Sequence, residues 1–408
     1  MEGQKWHFSP TPKVSAQCHR AVSTEKTLSR LRVIARRVPI SRVADITPLD
    51  RLGLPVFSAT TPLARDLTTH GGKGLTPDLA RISAMMEAIE RVSAEEPPGA
   101  TVRASYREFD KSVPDAIDPR SFELSASSRY HPDLPLSWIE AWDLGCGAPA
   151  WVPLDLVINP GRDGILHGVD TNGLAAGNTL LEAVVHGLCE VIERDALSVA
   201  SFRSSFVADP SQLGSESRVI EPETLPEDAR AWTRRIRDRG LHVVTEVLTS
   251  DLAVPTFRSV ITDDDYPSAH GCTTRRFVGL GASPSAAIGA TRSITEAVQS
   301  RLAIIQGARD SFNTLSNHRP DDAAAPRRVG AKACVPLETV RTFESDDLLE
   351  DLHHILASLR AVGLHRVLVI DLSREAFGFP VVRVRVPGIA GFAVDPTRVG
   401  WRCLRALL

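Results

Sequence analysis

The sequence predicts an α+β fold in which mixed or antiparallel sheets are combined with several long helices. Three observations carry that expectation. Short β-type runs come in neighbouring pairs broken by turn residues, as in SWIEAWDL and APAWVPLDLVI. Apolar residues recur at helical spacing from residue 77 to the middle nineties, from about 179 to 200 and from about 284 to 306. The 408 residues are 43% hydrophobic and 24% charged, with 27 Gly and 28 Pro, an ordinary globular composition with ample material for a core.

Taken in order, residues 1–40 read as an N-terminal arm on the surface or frayed, followed by a short basic helix whose Leu28, Leu31 and Ile34 share one face. Residues 391–408 read as a C-terminal tail. RVADIT and LPVFSATTP are strand-like around Asp50 and Gly53, and the small-residue run GGKG follows at 71–74. Residues 97–170 read as antiparallel hairpins. Beyond the second long helix come a helix (PEDARAWTRRIRDRG), two strands (LHVVTEVLT and AVPTFRSVIT) and the turn DDDYPS. The polar, Pro-rich stretch 307–345 reads as a loop. The chain closes with a helix (SDDLLEDLHHILASLRAVG) and the strands HRVLVIDLS and FPVVRVRVPG.

The composition excludes several functional classes. A net charge of −3 provides no global positive field for nucleic acid or an anionic membrane. No apolar run has the length of a transmembrane helix, the first thirty residues lack signal-peptide order, and the chain is read as cytoplasmic. The six cysteines (18, 146, 189, 272, 334 and 403) stand singly, without CxxC or metal-ligand spacing. His353 and His354 are adjacent, so on a helix their rings diverge by about 100° and read as structural.

The chemistry lies in acidic helical stripes. In TPDLARISAMMEAIERVSAEE, Thr76 reads as an N-cap and Pro77 as the first helical residue. Ser83, Glu87 and Glu90 form a stripe about 70° from the apolar one. The bland alternative is a surface edge in which Arg91 pairs with Glu87. The spacing ExxER returns at Glu190, Glu193 and Arg194, after a run of small and polar residues, Asn172 to Asn178, suited to facing an anion at a helix start. On that helix Glu182, His186, Glu190 and Glu193 lie opposite the apolar side, and the bland alternative is a solvated face. The third helix places Ser285, Gly289, Arg292, Glu296 and Gln299 along one stripe. If Glu87, Glu90, Glu190, Glu193 and Glu296 converge, their mutual repulsion calls for divalent cations, with Lys73 and Arg292 as phosphate contacts.

At these residues the chain resembles the YcaO-domain proteins. The shared motifs are Gly72-Lys73-Gly74; Ser83 with Glu87, Glu90 and Arg91; Gly177 through Arg194; and Arg292, Glu296, Gln299 and Arg301. The resemblance implies a YcaO-type fold over 41–390, with ATP-binding motifs at 71–96, 172–195 and 284–301. It also implies ATP and Mg2+ as cofactors. The metal would be held by Glu87, Glu90, Glu190, Glu193 and Glu296, and the nucleotide by Lys73, Ser83, Asn178, Glu182, His186, Arg194, Arg292 and Gln299; no catalytic residue is assigned. The family uses ATP to phosphorylate a peptide backbone amide, after which a side chain gives an azoline or external sulfide gives a thioamide.

SRVADITPLDRLGLPVFSATTP and VPGIAG are similar to the branch paired with TfuA-type proteins, which is associated with thioamide formation. Thr61 stands where relatives of that branch often have Arg, and Ala390 where they have Glu. The WRCLRALL ending lacks the Pro-x-Pro-x-Pro tail of azoline-forming members, which favours thioamidation. Expected partners are a precursor peptide or protein, a TfuA-like or leader-binding protein, and a second copy in a homodimer. Azoline-forming cyclodehydration is the first alternative and a non-catalytic nucleotide- or peptide-binding scaffold the second. The absence of GxGxxG after a strand argues against a dinucleotide fold, and GGKG is not a Walker A loop.

Overall fold

The structure, a computed structural model, describes residues 5–15, 18–112, 115–168, 170–206, 218–264, 275–308 and 333–408. Part of DDDYPS and most of the expected 307–345 loop lie outside the described residues. Helix α1 (Thr24–Ile34) buries Leu28, Leu31 and Ile34 as its spacing predicts. It precedes β1 (Arg42–Asp45), β2 (Val56–Thr60) and β3 (Thr69–Lys73), an antiparallel sheet in that order. Helix α2 (Pro77–Ser93) follows, capped by the Thr76 side chain, which accepts from Leu79 N at 3.3 Å.

Next come β4 (Val102–Ser105), α3 (Tyr106–Ser112), β5 (Pro135–Asp143), β6 (Ala148–Pro153), β7 (Leu174–Ala176) and α4 (Leu180–Phe206). Then β8 (Arg218–Ile220), α5 (Glu227–Asp238), β9 (His242–Val247), β10 (Thr256–Thr262), β11 (Arg276–Ala282) and α6 (Ala286–Gln306). The chain ends with β12 (Ala333–Val335), α7 (Leu348–Ala361), β13 (Leu368–Asp371), β14 (Val381–Arg385) and α8 (Trp401–Arg405). One sheet runs β11-β10-β9-β8-β12, antiparallel except for the parallel β8–β12 pair. The other runs β4-β5-β13-β14-β7, wholly antiparallel, with β6 also on β5.

Each acidic helix follows the terminal strand of a different sheet: β3 leads into α2, β7 into α4 and β11 into α6. Glycines permit strand and helix backbones to touch. A Cβ on Gly72 would sit 1.9 Å from Ala84 N, and one on Gly279 2.1 Å from Ala297 N, so a side chain at either would drive strand and helix apart. Counting from the helix starts, Thr76, Thr179 and Ser285 each stand eleven residues before Glu87, Glu190 and Glu296. The molecule therefore holds three equivalent strand–turn–helix units, one on each sheet.

The N-terminal arm differs from its expected place on the surface. Trp6 is buried in the core between α4 and α7, and Thr11 and Lys13 exchange backbone hydrogen bonds with Leu348 and Asp346 (3.0 and 2.8 Å). One aromatic ring and a short stretch of backbone pairing suffice to tie down a segment with no periodic pattern.

Candidate nucleotide-binding cleft

The three units are tied crosswise into a closed cycle. Glu90 of α2 accepts from Ala176 N of β7 at 2.8 Å, and Glu193 of α4 accepts from Ala282 N of β11 at 3.2 Å. The third unit closes back on the first. Lys73 of β3 donates to Glu296 Oε2 of α6 at 2.7 Å, and the Gln299 amide packs on Gly71, its Nε2 2.7 Å from where a Cβ would lie. Glu90, Glu193 and Gln299 are equivalent positions, fourteen residues after Thr76, Thr179 and Ser285. A helix of one unit thus always reaches the strand of the next, and the carboxylates face a common centre.

The electrostatics of that centre are unbalanced. Burial pushes Glu90 up to about 8, and the charges of Glu87 and Glu190 outdo the relief from Arg91. Burial also raises Glu190, against the pull of Arg194, Arg91 and Arg383. Glu193 is raised by burial and by Glu296 beside it. Burial acts upward on Glu296 too, but Lys73, Arg194 and Arg292 outweigh it and keep this carboxylate below its usual range. The Arg91 guanidinium, which the bland alternative pairs with Glu87, reaches Asp66 at 3.1 Å. The face of α4 opposite its apolar side is not solvated either, since Glu182 and Glu193 are buried there.

At one end of the cleft, Arg292 donates to His186 Nε2 at 3.1 Å. Burial, then Arg292, Arg20 and Lys73, hold this imidazole far below its usual range, so it is neutral, with its proton on Nδ1. That Nδ1 is buried without a partner among the described residues, an available donor for a ligand oxygen.

Asn178 and Glu182 close the same end, where the arm covers them. Arg20 donates to Glu182 Oε1 at 2.7 Å and Ala21 N to Oε2 at 3.1 Å, while Asn178 Oδ1 accepts from Thr27 and Arg30 at 3.0 and 3.3 Å. Arg20, His19, Thr27 and Arg30 escaped the sequence reading. Isolated polar residues in an aperiodic arm give no signal beyond their charge.

Lys73, His186, Glu190, Glu193, Arg194, Arg292 and Glu296 act on one another electrostatically, Glu87 and Glu190 act on Glu90, Gln299 lies against Gly71, and Ser83 is half-buried on α2. Among the described residues no three His, Cys, Asp or Glu side chains form a closed metal cage. The donor set nonetheless suits a hard divalent cation that takes one or two carboxylates and fills its remaining positions with phosphate oxygens and water. Such a cation would favour the charged forms of Glu90 and Glu190, which burial disfavours.

Comparison with known proteins agrees with this geometry. A family model described as YcaO cyclodehydratase, ATP- and Mg2+-binding, matches residues 71–390. An uncharacterized protein of Methanothermobacter thermautotrophicus is 34% identical over 94% of this chain and 98% of its own length. An uncharacterized protein in the tfuA 3' region of Rhizobium leguminosarum bv. trifolii is 33% identical, over 92% of this chain and 90% of its own. Among solved structures, YcaO from Methanopyrus kandleri bound with AMPPCP and Mg2+ superposes with a TM-score of 0.75 at 25% identity, covering 96% of this chain and 98% of that one. A heterocyclase in complex with substrate and cofactor shares the fold at TM-score 0.75 and 23% identity; the match covers 94% of this chain and 54% of the heterocyclase.

Proposed function

This chain belongs to the YcaO family, and on that premise we propose that it uses ATP to activate a peptide backbone amide so that sulfide can replace the amide oxygen. The observation that carries the reading is the meeting of Glu90, Glu190, Glu193 and Glu296 with Lys73, Arg194 and Arg292, where burial still raises the first three carboxylates. That combination fits a polyphosphate with its cation and little else. Glu87, Glu90, Glu190, Glu193 and Glu296 would hold Mg2+, which when bound neutralises phosphate charge. Lys73, Arg292 and Arg194 would contact phosphates, His186 Nδ1–H would donate to an oxygen, and Ser83, Asn178, Glu182, Gln299 and Arg20 would complete the nucleotide site.

The amide oxygen attacks the γ-phosphorus, the bond to the β–γ bridging oxygen breaks, ADP leaves and the amide N–H proton is released. Sulfide then adds to the activated carbon and phosphate departs with the former amide oxygen, leaving a thioamide. The chain's task in both steps is orientation and charge stabilisation, with Lys73 and Arg292 placed to meet developing phosphate charge.

The relative from the tfuA 3' region, similar across nearly the whole chain, supports sulfide as the nucleophile and a TfuA-type protein as the partner. Azoline formation is the second reading, supported by the family's description as cyclodehydratases. Product mass separates them. With a TfuA-type partner, a precursor peptide, ATP and sulfide, the product should gain the difference between sulfur and oxygen; loss of one water without sulfide would make azoline formation the function.

A further inference from the structure

We propose that Asp351 of α7 is a positioning residue for the nucleotide end of the cleft, holding Arg20 in place through Lys13 and His19. The inference rests on the nucleotide reading above and concerns how that end of the site is built.

Asp351 is fully buried on a helix face otherwise made of Leu348, Leu352, Ile355 and Leu359. A lone carboxylate there needs counter-charge, and the arm brings it. Lys13 Nζ lies 2.7 Å from Asp351 Oδ2, with both side chains almost wholly shielded from water. His19 Nδ1 lies 3.5 Å from the same oxygen, and Ser345 donates to Oδ1 at 2.8 Å.

Burial, Lys13, Arg292 and Arg20 push His19 down to about 3, so its ring is neutral and carries one proton. Facing a carboxylate, that proton belongs on Nδ1, which leaves Nε2 to accept from Ser283 Oγ at 3.1 Å. Ser283 Oγ in turn accepts from Ser285 N at 3.0 Å, where α6 begins. Asp351 Oδ2 thus faces His19 Nδ1, and His19 docks the arm on the unit that carries Arg292. The residue after His19 is Arg20, whose guanidinium reaches Glu182 and whose charge acts on His186. One peptide bond separates the anchored imidazole from the cation at the cleft. The cation that lies closest to this interior aspartate, Lys13, comes from the arm.

The test uses the full chain and calorimetry with Mg-ATP. Asp351→Asn should weaken binding about tenfold, within the range of couplings between contacting residues, and should raise KM for ATP while leaving kcat close to the parent. In an Arg20→Ala background the same substitution should cost nothing further, because its effect passes through Arg20. The Lys13→Met/Asp351→Asn double variant leaves no unpaired buried charge and should bind Mg-ATP as weakly as Asp351→Asn; it carries the test if the single variant fails to fold. Parental affinity in either folded variant, or losses that multiply in the Arg20→Ala background, would overturn the inference alone. A wild-type chain that binds no Mg-ATP would overturn the nucleotide reading and this inference with it.

Discussion

Glu90 and Asp170 are both carboxylates withdrawn from water, and their acidities move in opposite directions. Asp170 accepts from Arg385 on one oxygen and from Arg398 on the other, each at 2.9 Å, and from Asn172 N at 3.0 Å. Burial alone would raise it, but Arg385 and Arg398 hold it at about 2. Glu90 is raised to about 8 first by burial and then by Glu87 and Glu190, and the Ala176 amide and Arg91 do not offset them. Burial is common to the two regions; counter-charge is not. The Asp170 node is complete as the chain folds, whereas in the cleft burial keeps Glu90, Glu190 and Glu193 raised despite the cations around them, and a divalent cation would favour their charged forms.

Removing the Asp170 charge should have the largest effect on the fold. Asp170→Asn leaves the guanidiniums of Arg385 and Arg398 buried without their anion and should cost about 3–5 kcal/mol of stability, read by denaturant unfolding. The matched change in the cleft should do the opposite: Glu190→Gln or Glu193→Gln should leave apo stability unchanged or higher, since one of several like charges is gone. ATP turnover should fall in either variant by about a hundredfold or more, equivalent to roughly 2.7 kcal/mol. Normal turnover in both would return that helix face to a structural role.

Ligand linkage sharpens the contrast. Mg-ATP at about a hundred times its Kd should stabilise the chain by roughly 2.7 kcal/mol in a thermal melt, and EDTA should remove most of that gain. Equal stabilisation by ATP without metal would mean that the cleft carboxylates are neutralised internally, as Asp170 is.

The two regions should also respond oppositely to pH. Glu90 rises from 4.5 to about 8 on folding, so between those values the folded chain keeps a proton that the unfolded chain has released. Apo stability therefore falls as pH rises through that window, by at most about 1.4 kcal/mol per pH unit, and Glu90→Gln should flatten the slope. Asp170 falls from 3.8 to about 2; its contribution is present above 3.8 and lost as pH drops toward 2. Unfolding followed across pH in wild type and both variants checks the signs.

The smallest expected effect is at the exposed Cys146 and Cys334. Ala at either position should change stability by no more than about 0.5 kcal/mol and leave turnover intact. Loss of turnover in a stable Cys variant would contradict sulfur delivery from outside the chain.

The elements with strong periodicity were legible from the chain alone: α1, α2, α4, α6 and α7, and strands such as β5, β9 and β14, stand close to where their patterns put them. So did the carboxylate stripes, because a step of three or four residues puts side chains on one helix face wherever the helix lies. Three strands that matter to the cleft, β3, β7 and β11, left no such mark. THGGK, LAA and RFVGLGA look like loops or weak strands because their small residues lack β-propensity, and the reason for Gly72 and Gly279, a helix backbone about 2 Å from the absent side chain, lies up to eighteen positions away in sequence.

What the sequence determined by itself, then, was which residues carry charge and which face of which helix they occupy. Which of them meet was decided by tertiary structure: the cycle from α2 to β7, α4 to β11 and α6 to β3, the turn of Arg91 toward Asp66, and the docking of Arg20 on Glu182. Local spacing propagates over one or two helical turns, whereas these contacts join residues from 25 to more than 200 positions apart, and only packing brings them within reach.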